Sequence, residues 1–184
     1  MSDVLKPEVD DYNTFGAAVY TFNRLAGNLD PAEDANILVQ RIKNQAERVL
    51  EEAQETVNWC NEWLKLEQEQ PTEVILEGIL DGIIDTQVTS IGLLQIAGPY
   101  FDTQLAATLI CQNNLTKFTQ DLERAEIAVA YYEALGQPCV VREVKIDSVG
   151  SIYSVVREVD GKIMKPHDFE SVDLKDCLYL EEIE

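Results

Sequence analysis

The chain has 184 residues, is 46% hydrophobic and carries a formal charge of -20. That length and composition fit a folded domain with a real core and exclude a disordered chain. The charge disfavours binding to a nucleic-acid polymer, which needs clustered Lys and Arg to displace counterions. Four scattered cysteines (Cys60, Cys111, Cys139, Cys177), no CxxC and a single His (His167) rule out zinc spacing. Without an apolar leader at the N-terminus, they are expected to be reduced thiols in a cytoplasmic protein. The longest apolar stretch, residues 79–97, is interrupted by Asp81, Asp85, Gln87 and Gln95, too polar to span a membrane.

Taken in order, residues 11–26 place Phe15, Val19, Phe22 and Leu25 at helical spacing, and Gly27-Asn28 ends that helix. A loop with Pro31 follows. A long helix is expected over residues 34–66, with a core stripe of Leu38, Ile42, Ala46, Val49, Ala53, Cys60 and Leu64. Beside it runs a second stripe of Arg41, Gln45, Arg48, Glu52, Glu55, Trp59 and Trp63, within an arc of roughly 80°. This stripe reads either as a solvated flank whose tryptophans complete the core, or as a groove with carboxylates at its middle and aromatic surface at one end.

After a polar break, residues 71–97 form a third helix, apolar over more than half its circumference through Leu76, Ile79, Leu80, Ile83, Ile84, Ile91 and Leu94. Such a helix belongs inside a bundle or at an oligomer interface. Its remaining face aligns Glu77, Asp81 and Asp85, flanked by Gly78, Gly82, Thr89 and Gly92. Glycines inside a helix cost about 1 kcal/mol each against Ala, so they need a packing or site reason. A fourth helix over 101–116, with Leu105, Leu109 and Ile110 inward, and a fifth over 120–135 follow. The period then changes: residues 139–146 and 152–159 read as a β-hairpin, with a further turn at Asp160-Gly161-Lys162 and pairing continued by 163–165. The domain division expected is 1–136, all helical, and 137–184, hairpin and tail.

The chemistry concentrates in Glu51-Glu52-Ala53-Gln54-Glu55 and in Asp81 and Asp85. Charged runs alone are usually solvated helix faces. Two carboxylates inside an apolar helix change that reading, because buried carboxylates need a partner. Carboxylates on two facing helices suit Mg²⁺, which takes oxygen ligands and keeps waters and substrate phosphates in its shell. No Walker loop, dinucleotide-binding glycine fingerprint or HExxH appears.

These residues resemble the all-α nucleoside triphosphate pyrophosphohydrolases, the MazG-like group, whose pattern is EExxE, then ExxD, then Asn-x-x-Lys. Here it reads Glu51-Glu52-Ala53-Gln54-Glu55, Asp81-Gly82-Ile83-Ile84-Asp85 and Asn114-Leu115-Thr116-Lys117. The segments 79–85 and 160–166 look most like bacteriophage members. The resemblance implies an all-α bundle of four or five helices completed by dimerisation, with a small C-terminal β-hairpin appended. It implies hydrolysis of an NTP or dNTP between the α and β phosphates, giving the monophosphate and pyrophosphate, for nucleotide-pool control in a bacterial or phage-infected cell. Mg²⁺ is the implied cofactor, with Mn²⁺ able to substitute, and the implied assembly is a homodimer or dimer of dimers. Carried over, Glu52, Glu55 and Asp85 are metal ligands. The family's remaining acid falls at Gly82, and Asp81 is the available substitute. Glu51 is assigned to catalysis, orienting the water or holding a second metal, and Arg48, Trp59, Asn114 and Lys117 to substrate. Lys117 also reads as a cation complementing a helix C-terminus. The alternative class is a non-catalytic acidic helical dimer that binds a metal or a protein. His167 is assigned no role.

Overall fold

The structure is a computed structural model that describes residues 15–32, 34–67 and 70–179. Among these, five α-helices precede one antiparallel hairpin: α1 Phe15–Leu25, α2 Ala35–Leu64, α3 Glu73–Ala97, α4 Thr103–Leu115, α5 Leu122–Ala134, β1 Cys139–Ile146 and β2 Gly150–Arg157. Positions 11–14 of the first expected helix lie outside the described residues. No helix among the described residues is long and apolar enough to cross a membrane.

Local chemistry sets the helix starts. Asp34 Oδ1 accepts from the backbone N–H groups of Asn36 (2.7 Å) and Ile37 (2.9 Å), capping α2. Thr72 and Asp121 cap α3 and α5 in the same way. Gly27 and Gly136, with φ of 72° each, supply the left-handed residues that turn the chain after α1 and α5.

The chain divides into two compact units, at Thr103–Gln104 and again at Cys177–Leu178. α4 beyond its first residue, α5 and the hairpin therefore group together, whereas the sequence reading drew its line at residue 136.

In the first unit α2 and α3 pack against each other along most of their length, and α1 packs on α3. Of the expected α2 core stripe, Leu38 is buried and Ile42, Val49, Ala53 and Cys60 are half-buried, but the contact departs from expectation elsewhere. Ala46 and Leu64 of the expected core stripe are exposed, Leu64 at 77%, while Gln45 is buried at 4%. On α3 the buried positions are Ile75, Gly82, Gly92 and Ile96, and Leu76, Leu80, Ile83, Ile84 and Leu94 face outward. The reason is close approach. A Cβ on Gly78 would lie 2.3 Å from the Trp59 ring, and one on Gly82 would lie 2.6 Å from Thr56 Oγ1 and 3.1 Å from the Thr56 backbone nitrogen. A Cβ on Gly92 would lie 3.0 Å from the Gln45 amide. Gly78, Gly82, Asp85, Thr89, Gly92 and Ile96 follow at alternating steps of four and three, the spacing that keeps one seam toward a partner helix. Small residues on α3 thus receive large ones from α2. The hydroxyls in the seam are satisfied within their own helices: Thr56 donates to the Glu52 carbonyl (3.2 Å), Thr86 to Gly82 (2.7 Å) and Thr89 to Asp85 (2.9 Å). Leu178 closes this unit through a bridge to Phe101.

The second unit has its own core of Ala125, Ala128, Cys139, Val155 and Met164, with Val129, Tyr132, Val141 and Tyr153 against it. Ala on α5 lets the hairpin approach closely. The strands pair from Cys139↔Arg157 to Ile146↔Gly150, so β2 begins and ends two residues earlier than expected. Asp160 explains the earlier end. It pairs with Arg157 (2.9 and 2.5 Å) and accepts from the Lys162 N–H (3.2 Å), and the Gly161 N–H donates to the Arg157 carbonyl (2.9 Å). The turn therefore starts just after Arg157 and leaves Val159 86% exposed. Pairing then resumes as expected, with Val156 bridged to Ile163 and Met164 N–H donating to the Val155 carbonyl (2.8 Å). α4 has no buried residue, and Leu105 and Ile110, expected inward, are 38% and 41% exposed.

Candidate functional site

The antiparallel seam decides which carboxylates meet. Trp59 stands against Gly78 and Thr56 against Gly82 on one side, and Gln45 against Gly92 on the other. Between these pairs the register places Glu52 of α2 opposite Asp85 of α3. Both line one cleft of about 480 Å³, together with Phe22, Asn28, Arg48 and Thr89. A larger but more open depression of about 690 Å³ lies over Asn58, Asn61 and Glu62 of α2, where Lys65 already pairs with Glu62 (2.5 Å).

Electrostatics single out the same pair. Burial, followed by the charge of Asp85, holds the Glu52 carboxyl above its ordinary value, and Glu55, Glu51 and Asp81 add smaller pushes in the same direction. The acids singled out by the sequence thus share one field, but unequally. Glu52 and Asp85 are half-buried, whereas Glu51, Glu55 and Asp81 are exposed. Among the described residues, no group of three or more acidic, cysteine or histidine side chains converges as a metal site. The two acids that line the cleft are Glu52 and Asp85. Two carboxylate donors fit Mg²⁺, which is commonly held by one or two carboxylates with waters and substrate phosphates completing the shell.

The departure at Gly82 has a packing cause. Position 82 is buried against the Thr56 backbone, so no glutamate fits there. Asp81, one residue earlier, points away from the seam and is exposed.

A polar network backs the cleft. Asn23, 3% exposed, donates from Nδ2 to the Val19 carbonyl (3.1 Å) and to Gln95 Oε1 (3.2 Å), and its Oδ1 accepts from Asn28 Nδ2 (2.9 Å). Gln95 Nε2 reaches the Gly16 carbonyl (3.0 Å). Gln45 Nε2 donates to the Thr89 carbonyl (2.9 Å), and its Oε1 accepts from Arg48 Nη1 (3.1 Å). Every polar partner is accounted for: among the described residues no buried side-chain nitrogen or oxygen lacks one.

The remaining expected site residues fall into place differently. Arg48 lines the cleft, as its position on the second stripe anticipates. Trp59 is packed onto Gly78 in the seam, and Trp63 is 42% exposed. Neither indole lines the cleft; its aromatic is Phe22, 63% exposed, which by spacing belongs to the apolar series of α1. Asn28, in the loop after α1, and Gln45, on the second stripe of α2, line it as well. The place of Gln45 beside Gly92 is visible only once α2 and α3 are in register. Asn114 and Lys117 belong to the second unit, where Lys117 Nζ donates to Asn114 Oδ1 (2.7 Å). The ammonium groups of Lys117 and Lys165 lie 5.9 and 4.7 Å from the ring centre of Phe169. Arg124 holds Asp168 through both nitrogens of its fork (2.9–3.1 Å).

No family model, curated protein or solved structure matches the chain.

Proposed function

We propose that the chain is a Mg²⁺-dependent hydrolase of nucleoside triphosphates, cutting between the α and β phosphates in the manner of the MazG-like enzymes its motifs resemble. The observation that carries this reading is the opposition of Glu52 and Asp85 in one cleft that also holds Arg48. Two hard anionic donors beside one guanidinium match the demands of a metal–triphosphate complex.

In this proposal Glu52 and Asp85 hold the ion, and the exposed Glu55 and Asp81 add negative potential that favours it. When bound, the ion supplies Lewis acidity toward the phosphoryl oxygens and acidifies a ligated water. Arg48 donates to phosphate oxygens, and Glu51 orients the attacking water from the margin of the cleft. Mn²⁺ is expected to replace Mg²⁺, since both favour octahedral oxygen coordination.

The outward aliphatic face of α3, with Leu80 at 61% and Leu94 at 54% exposed, favours a homodimer or dimer of dimers. It equally fits the second reading, a non-catalytic helical dimer. Pyrophosphate release from a panel of NTPs and dNTPs separates the two: Mg²⁺-dependent release supports the enzyme, and release from none of them leaves the dimer reading.

A further inference from the structure

Gln45 is a polar side chain where an aliphatic one would serve packing better. It is 4% exposed, in the middle of the α2–α3 seam, and α3 gives it room by presenting Gly92. Burying an amide without partners costs roughly 1–3 kcal/mol on mutational scales, so its partners show what it is for. One is the Thr89 carbonyl, which accepts from Nε2 at 2.9 Å. That carbonyl can only accept, so the amide orientation is fixed and Oε1 must point the other way. The atom that meets Oε1 is Arg48 Nη1, at 3.1 Å.

Arg48 lines the cleft that holds Glu52 and Asp85, and Glu52 is one helical turn from it. Residues four apart share a helix face, so an Arg–Glu pair along the helix is within reach. Among the described residues, the ion pairs are Lys43–Glu47, Lys65–Glu62, Arg124–Asp168, Lys145–Glu143, Arg157–Asp160 and Lys175–Asp173, and Arg48 is in none of them. A neutral acceptor holds the guanidinium without neutralising it. It leaves the other donors of the fork available, and it leaves the two carboxylates unpaired.

We infer that Gln45 is a positioning residue: it draws the Arg48 guanidinium away from Glu52 and presents it to a phosphate-bearing ligand in the cleft. The inference rests on the proposed role of Arg48 toward the substrate's phosphates. It adds that the charge separation between Arg48 and the acidic pair is built by a buried amide and by the glycine that makes space for it.

The test is a double-mutant cycle read by calorimetric binding of inorganic pyrophosphate in the presence of Mg²⁺. Arg48→Met is expected to weaken binding about tenfold, the loss of a charge-assisted bond. Gln45→Met, of similar volume, is expected to weaken it about fivefold, and the double variant to match Arg48→Met within about twofold, because contacting residues couple. Gln45→Glu supplies a readout that packing alone does not move. The introduced carboxyl pairs with Arg48 at pH 7, and affinity relative to wild type at the same pH recovers as that carboxyl is protonated. If Gln45→Met does not fold, Gly92→Ala, which crowds the same amide from α3, replaces it in the cycle with the same expectation. Multiplying effects of the two substitutions, unchanged affinity in Gln45→Met, or no pyrophosphate binding by wild type overturns the inference. Turnover of nucleotides is measured separately. Coupling without turnover removes the enzymatic proposal and keeps this one, and turnover with independent effects does the reverse.

Discussion

Glu52 on α2 and Asp85 on α3 line one cleft from opposite helices, and burial together with the charge of Asp85 raises the pKa of Glu52. A group whose pKa is higher folded than unfolded favours the folded state at low pH. That contribution is full below the ordinary carboxylate value near 4.5 and is lost as pH rises through the raised one. Glu52→Gln is therefore expected to melt higher than wild type at pH 7 in chelator, with the difference shrinking toward pH 4. Mg²⁺ should raise the melting temperature of wild type and not of the variant, since only wild type presents both carboxylates. Equal melting temperatures across this pH range would show that the two acids do not interact.

The seam between α2 and α3 makes a prediction opposite to helix propensity. Gly→Ala inside a helix ordinarily gains about 1 kcal/mol. At Gly82 the new methyl meets Thr56 Oγ1 at 2.6 Å and backbone at 3.1 Å, and at Gly78 it meets the Trp59 ring at 2.3 Å. Overpacking of this kind costs about 1–3 kcal/mol. Both variants should unfold at lower denaturant than wild type, and Gly78→Ala should also shift the tryptophan emission. Gly16→Ala, with nothing within 4 Å of the new methyl, is the control and should be neutral or slightly stabilising.

In the hairpin unit, the hydrogen bonds from Arg157 hold the Asp160 carboxyl down to about 2 from an ordinary 3.8. Carboxyl-carbon NMR should find Asp160 titrating near that low value, and Arg157→Ala should return it toward the ordinary one. Because the folded value is the lower, the stability linked to Asp160 is present above the ordinary value and lost as pH falls through the folded one.

The aliphatic face of α3 predicts an assembly. Leu80→Glu places a charge in the middle of an exposed apolar patch, where it harms the isolated chain little. Light scattering should show wild type at two or four chains and the variant at a lower state. A monomeric wild type would remove the dimer proposal.

Much of this architecture is legible in the sequence, for local reasons. Asp34 announces the start of α2 because a capping oxygen is a local requirement, and the switch to β-branched residues at Cys139 announces the hairpin. The α2 stripe from Leu38 to Cys60 is legible apart from Ala46, whereas the inward face of α3 is not. Periodicity counts aliphatic residues, and it assigns Ala46 and Leu64 to the core and Gly82 to a flank. The helices instead meet through glycines and threonines, so that Gln45 is buried and Leu80 is not. The same cause hid Phe22, which lies on an aliphatic stripe by spacing and lines the cleft in space. Asp85 stands out in the sequence because charge inside an apolar helix is conspicuous whichever face is buried, and Glu52 as one of three acids within one turn of α2. Their ranking above Glu51, Glu55 and Asp81 needed the register.

The central claim, that Glu52 and Asp85 together hold the metal for triphosphate hydrolysis, is met most directly by pyrophosphate release from NTPs and dNTPs with and without Mg²⁺, comparing wild type with Glu52→Gln and Asp85→Asn. Loss of the metal-binding oxygens should lower turnover by at least about a hundredfold in each variant, with helical content retained. Near wild-type release by either variant, or no Mg²⁺-dependent release by wild type from any nucleotide, would contradict it.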